Sequence, residues 1–166
     1  VDRSLTRLGQ ERLDLVQFHW WDYAVPRYVE IALELERLRR AGKIDRIGAT
    51  NFDTDHMLAL IGSGVPLVSM QVQYSLLDGR PAKRMVEAAL AHGVSLLCYG
   101  TVAGGFLGNR WLGAAEPRAP LENRSLIKYK LIIDDIGGWD LFQSLLAVLD
   151  AIAQRHHTDI ATIASA

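Results

Sequence analysis

Polar or aromatic side chains stand at or near the ends of four short apolar runs. His19 ends the first run, Thr50 and Asn51 close the second, Gln71 lies within the third, and Tyr99 ends the fourth. A neutral imidazole can donate a hydrogen bond to a carbonyl oxygen and stabilise the negative charge that develops there. Amide side chains offer both a donor and an acceptor, which matches a carboxamide. A tyrosine ring offers a flat face for stacking on a heteroaromatic ring.

Any one of these residues alone more often has a structural role. A shared functional site is indicated only if the secondary-structure elements bring the residues together. We predict strands over residues 14–20, 44–50, 67–74 and 94–99, with an amphipathic helix after each of the first three. Strands that alternate with helices predict βαβ units and a parallel sheet, in which all four side-chain groups reach the same edge. Beyond the fourth strand we predict helices over 125–133, capped by Asn123, and 141–152, and a last one capped by Thr158.

Two parallel architectures fit this alternation, a doubly wound open sheet and a (β/α)8 barrel. The first strand is not followed by a GxGxxG motif, which weakens the open sheet. A complete barrel needs about 250 residues, whereas this chain has 166. The alternatives are therefore a small complete sheet or part of a barrel.

Composition excludes several classes of protein. The formal net charge is -1, which offers no electrostatic footprint for nucleic acid or an anionic membrane surface. A single cysteine, Cys98, rules out an intrachain disulfide and a multi-thiolate zinc site and suits a reducing compartment, so we expect a cytoplasmic protein without a metal. The uncharged stretch 57–77 contains Pro66 and two glycines, and it predicts a loop and a strand instead of a membrane span.

Five motifs, taken in order, resemble the aldo-keto reductases. They are Gln17-Phe18-His19-Trp20, Arg39-Arg40-Ala41-Gly42-Lys43-Ile44, Ile47-Gly48-Ala49-Thr50-Asn51-Phe52, Gln71-Val72-Gln73-Tyr74-Ser75 and Tyr99-Gly100-Thr101-Val102-Ala103-Gly104-Gly105. Each is weak alone, but five in register cover essentially the whole chain. The resemblance implies a (β/α)8 TIM barrel that reduces a small carbonyl substrate, an aldehyde or a ketone, with NADPH.

The resemblance also implies a role for each site residue. His19 matches the histidine that orients the substrate. Asn51 and Gln71 match the side chains that bind the nicotinamide carboxamide, and Thr50 matches an adjoining hydroxyl. Tyr99 matches the ring that stacks on the nicotinamide. The segment with Gly100, Val102 and Gly104 matches the loop that follows the pyrophosphate.

By the same mapping, residues 1–166 are a partial domain that supplies strands four to seven and lacks strands one to three and eight. The family's catalytic Asp, Tyr and Lys precede the strand that ends in His19, and none of the five tyrosines matches that Tyr. We therefore expect an internal piece of a reductase that is inactive by itself. The alternative is a non-catalytic module on the same fold that binds a nicotinamide cofactor or a protein. A lyase or isomerase barrel is disfavoured because these strand ends carry no carboxylates.

The sequence leaves open the individual carbonyl substrate, the preference for NADP over NAD, and the oligomeric state. Within the barrel, we expect the side chains of five strand residues to face the interior, namely Val16, Phe18, Ile47, Val72 and Leu97.

Overall fold

The computed structural model describes residues 1–166, which divide into two compact units. The first unit comprises Val1–Val72 and Arg80–Cys98, and the second comprises Gln73–Gly79 and Tyr99–Ala166. The strands are β1 (Leu13–His19), β2 (Ile44–Thr50), β3 (Leu67–Gln73) and β4 (Ser95–Tyr99). They form one four-stranded sheet in the order β1-β2-β3-β4. The predicted parallel α/β sheet with sequential neighbours is confirmed.

Helices of the first unit follow the predicted alternation. They are α1 (Asp2–Leu8), α2 (Tyr28–Arg40), α3 (Thr54–Gly62) and α4 (Arg84–His92). The Asp53 side chain caps α3 by accepting a hydrogen bond from the His56 backbone N–H at 2.9 Å. Pro81 lies in a separate 3-10 turn, Arg80–Ala82, and α4 begins after it.

The strand side chains predicted to face the barrel interior do not all lie on the same face of the sheet. Phe18 and Ile47 are buried, whereas Leu97 is 41% exposed. A Cβ atom built on Gly48 would lie 2.3 Å from Gln17 Oε1 and 2.3 Å from Ser69 Oγ, so these three positions share one face.

Because strand side chains alternate, the residues beside Gln17, Gly48 and Gln71 point the other way. Val16, Phe18, Ile47 and Val72 therefore lie on the face opposite Gln17 and Gly48, and their predicted inward orientation is wrong. Both faces of a parallel strand can be apolar, so hydrophobicity alone did not distinguish them. This correction does not apply to Leu97, whose inward orientation stays a prediction.

The second unit contains α5 (Arg124–Asp135), α6 (Gly138–Arg155) and α7 (Ile160–Ser165). Its core is aromatic and aliphatic, with Phe106, Phe142 and Leu146 fully buried. The Asn123 side chain caps α5 as predicted, accepting from the Leu126 N–H at 3.0 Å.

The cap of α7 is Asp159 and not Thr158. The Asp159 carboxylate accepts from the Thr162 N–H at 2.8 Å, so this side chain satisfies a helix donor that the predicted Thr158 does not. None of the single helices is long and apolar enough to cross a membrane; α5 and α6, bent by 96°, pass that test only as a pair and only on length and composition.

Candidate active site

Three of the predicted site residues form a row across the first unit. The parallel register pairs His19 with Thr50, and Thr50 with Gln71. Thr50 Oγ1 donates a hydrogen bond to Gln71 Oε1 at 3.2 Å. This bond occupies the acceptor of the Gln71 amide and leaves its NH2 group to donate to a ligand.

Asn51 lies where the chain leaves β2 and turns into α3. Its φ is +58°, in the left-handed region that asparagine tolerates better than most residues. Its backbone N–H donates to the Gln71 carbonyl oxygen at 2.9 Å. The turn therefore places the Asn51 amide at the same strand ends as the hydrogen-bonded pair of Thr50 and Gln71.

His19 is exposed at the end of β1, and its ring centroid lies 5.8 Å from that of Trp21. The residue before it, Phe18, is buried, with its ring 5.5 Å from that of Phe52. The loop after the strand is shaped by Trp20, whose indole N–H donates to the Asp22 carbonyl oxygen at 2.9 Å. The imidazole thus stands on an anchored strand end and is open to a ligand.

A second group of side chains beside α3 includes a tyrosine. The Tyr23 ring stacks on His56 at 3.8 Å, and His56 Nδ1 lies 2.7 Å from the Asp53 carboxylate. Burial, together with the negative charge of Asp53, raises the pKa of Tyr23. A tyrosine that protonates an alkoxide works better beside a cation, which lowers its pKa. Tyr23 therefore does not resemble a proton donor for carbonyl reduction.

Residues 99–105 of the second unit form a tight loop. Gly100, Ala103, Gly104 and Gly105 all have positive φ. Turns of this kind can point successive backbone N–H groups into a concavity that binds anions. The N–H groups of Ala103 and Gly105 donate within the loop, to the carbonyl oxygens of Gly100 and Val102. The pyrophosphate-binding role expected of the segment with Gly100, Val102 and Gly104 stays a prediction.

Helix α5 closes one side of this loop through Tyr129, whose side chain is buried. A Cβ atom added to Gly100 would lie 2.3 Å from the Tyr129 hydroxyl oxygen, and one added to Gly104 would lie 2.8 Å from its Cδ2. Both positions need glycine for the space as well as for the backbone conformation.

The neighbouring Lys128 was missed by sequence reasoning. Its Nζ lies 5.5 Å from the centroid of the Tyr99 ring and 5.0 Å from that of Tyr129. It also donates to Gln73 Oε1. These partners are distant in the sequence, and no local pattern connects a lysine on α5 with a tyrosine at the end of β4.

Comparison with known proteins identifies relatives over the whole chain. The model of the Aldo/keto reductase family matches residues 1–166. Flagellar radial spoke protein 5 of Chlamydomonas reinhardtii is 31% identical over 173 residues, which cover 93% of this chain and 33% of that protein. The NADH-specific methylglyoxal reductase of Escherichia coli is 32% identical over 111 residues, which cover 64% of this chain and 33% of that enzyme.

Solved structures agree on the fold. A glycerol dehydrogenase from Gluconobacter oxydans matches with a TM-score of 0.79 at 24% identity, over 98% of this chain and 48% of that one. An aldo/keto reductase from Klebsiella pneumoniae, solved in complex with NADP and acetate, matches with a TM-score of 0.56 at 28% identity, over 63% of this chain and 37% of that one. The chain thus spans about a third to a half of the length of these relatives.

Proposed function

Because the chain belongs to the aldo/keto reductase family, we propose that the protein is an oxidoreductase that reduces small aldehydes or ketones to alcohols with NADPH. The observation that carries the proposal is the row of His19, Thr50 and Gln71 at the ends of neighbouring parallel strands. In barrels of this kind the active site lies at that end of the strands.

Residues of the first unit would hold the nicotinamide carboxamide. Asn51 and Gln71 carry amides that complement a carboxamide, and the Thr50 hydroxyl orients the Gln71 amide through the 3.2 Å hydrogen bond. When bound, NADPH supplies the hydride. The donor set suits either nicotinamide coenzyme, and we propose NADPH because the Klebsiella pneumoniae relative was solved with NADP.

The resemblance to the family assigns the other coenzyme contacts to the segment from Tyr99 to Gly104. The Tyr99 ring offers a stacking face for the nicotinamide. The loop that contains Gly100, Val102 and Gly104 offers backbone N–H groups to the pyrophosphate, and its positive φ values are of the kind that such anion sites use.

His19 would act on the substrate. Its imidazole donates a hydrogen bond to the carbonyl oxygen, orients that carbonyl, and stabilises the charge that develops as the oxygen becomes an alkoxide. The alkoxide must then receive a proton. We assign that proton donor to none of the five tyrosines of residues 1–166, because none of them matches the catalytic tyrosine of the family and burial raises the pKa of Tyr23 and of Tyr129.

A second candidate is a protein that binds the coenzyme without turnover. The similarity to a radial spoke protein, which its name places in the flagellum of its own organism, favours this alternative. The two candidates share the coenzyme site and differ only in the reaction. NADPH binding without aldehyde-dependent oxidation of NADPH would favour the module.

The test uses the whole protein with NADPH, NADH and a panel of small aldehydes and ketones. Coenzyme affinity is measured by fluorescence titration, and turnover by oxidation of the reduced coenzyme. Gln71→Met should weaken NADPH binding by roughly threefold to tenfold, the worth of one or two hydrogen bonds. The matched control is Gln154→Met on the exposed side of α6, which should leave the affinity unchanged. Equal affinities in both variants would contradict the assigned carboxamide site.

A further inference from the structure

An ammonium group already lies over the aromatic ring to which the nicotinamide is assigned. Lys128 Nζ is 5.5 Å from the Tyr99 ring centroid, within the range of a cation–π contact. The aromatic face is negative because of the ring quadrupole, so the ring attracts a cation from either side.

The position of Lys128 is held by more than this contact. The ammonium donates to the side-chain oxygen of Gln73, a residue that is only 5% exposed. It also lies 5.0 Å from the ring centroid of Tyr129, the next residue of α5, which is buried. These two contacts hold the ammonium near Tyr99, although the Lys128 residue as a whole is exposed.

We propose that Lys128 is a positioning residue that makes the Tyr99 ring prefer the reduced coenzyme to the oxidised one. The inference rests on the proposed function, in which Tyr99 stacks on the nicotinamide. The dihydronicotinamide of NADPH is neutral, whereas the nicotinamide of NADP⁺ carries a positive charge. A ring that already faces one ammonium attracts a second cation less, and the two positive charges also repel each other.

The consequence is a bias in affinity that depends on charge and not on shape. NADPH, which has no charge on its ring, keeps the stacking contact at little electrostatic cost. NADP⁺ has a similar shape, but the positive charge of its nicotinamide is repelled by the Lys128 ammonium. It therefore binds more weakly and dissociates more readily than NADPH. For unit charges several ångströms apart across a partly exposed ring, Coulomb's law gives a difference of roughly threefold to tenfold in affinity.

The experiment measures the dissociation constants of NADPH and NADP⁺ for the whole protein and takes their ratio, Kd(NADP⁺)/Kd(NADPH). Lys128→Met keeps the length of the side chain and removes the charge, and Lys128→Arg keeps the charge. We expect Lys128→Met to lower the ratio by roughly threefold to tenfold, chiefly through tighter NADP⁺ binding. Lys128→Arg should stay within about twofold of the unaltered protein, and the effect should shrink at high salt.

A merely structural lysine would change both dissociation constants in parallel and leave the ratio constant, which would overturn the inference. An unchanged pair of constants in Lys128→Met would overturn it as well. Tyr99→Ala separates this failure from failure of the proposed function. If Tyr99→Ala weakens both coenzymes while Lys128→Met leaves the ratio unchanged, only the role of Lys128 is wrong. If Tyr99→Ala changes neither affinity, the stacking assignment of Tyr99 is wrong too.

Discussion

Substitution of Gly100 tests how α5 shapes the loop assigned to the pyrophosphate. In Gly100→Ala the substituted residue keeps the backbone φ of +77°. Its new Cβ atom lies 2.3 Å from the Tyr129 hydroxyl oxygen. A side chain in the left-handed region costs about 1–2 kcal/mol, and an overpacked core contact adds about 1–3 kcal/mol. We therefore expect Gly100→Ala to lower the free energy of unfolding by about 2–5 kcal/mol.

The matched control is Gly105→Ala. Its φ of +97° carries a similar backbone cost, but the nearest atom to its new Cβ is Arg110 Nη2, at 3.9 Å. We expect this variant to lose only the backbone term, about 1–2 kcal/mol. The difference between the two variants isolates the contact with Tyr129.

A double-mutant cycle completes the measurement. Tyr129→Phe removes the hydroxyl and leaves Cζ as the nearest atom, at 3.2 Å from the Gly100 Cβ. Urea unfolding should show that Tyr129→Phe recovers about 1–2 kcal/mol in the Gly100→Ala background and nothing in the Gly105→Ala background, a coupling typical of residues in contact. NADPH titration of the same variants should show weaker binding in Gly100→Ala. Equal costs for the two alanine variants, with no recovery by Tyr129→Phe, would refute the reasoning.

Further predictions concern stability and the sheet edges. Two arginines of α2, Arg39 and Arg40, hold the pKa of the buried Glu36 carboxyl at about 2, below its usual 4.5. Glu36→Gln should thus cost about 1–2 kcal/mol at pH 7, after a discount for the exposed Arg40, and this cost should vanish as the pH falls from about 4.5 to about 2; a pH-independent cost in urea unfolding would contradict it. Gly48→Ala should break the hydrogen bond from Gln17 to Ser69 and lower the free energy of unfolding by about 1–3 kcal/mol. The control, Gly62→Ala, lies in a helix with open space around it and should raise the free energy of unfolding by up to about 1 kcal/mol. Equal changes in melting temperature for the two variants would show that the contacts around Gly48 do not affect stability. Residues 1–166 expressed alone should self-associate, because β1 and β4 are the edges of this sheet; a monomer by ultracentrifugation would show that both edges are covered.

The strand ends and their order were predictable from the sequence, because turn residues and spacing specify them locally. β2 has the predicted bounds, and Asn123 caps α5 as predicted. The motif register also brings His19, Thr50 and Gln71 into one row. What these residues bind remains a proposal.

Features that depend on tertiary contacts were not predictable. The face of the sheet on which Phe18 and Ile47 lie depends on what covers each side of the sheet. Sequence alone does not specify it, because both sides of a parallel strand tolerate apolar residues. The contact of Lys128 with Tyr99 joins residues from distant parts of the chain. The cap of α7 moved by one residue, to Asp159, since either neighbour is a good capping residue and only the final geometry selects between them.

The most direct test of the account is the behaviour of His19→Ala in the whole protein, measured as kcat for a small aldehyde and as the dissociation constant of NADPH. If the imidazole acts on the substrate oxygen, kcat should fall by roughly 10²–10³ while NADPH affinity stays within about twofold of the unaltered protein. A variant that keeps its kcat, or one that loses NADPH affinity in proportion to kcat, would contradict the assignment of His19 to the substrate carbonyl.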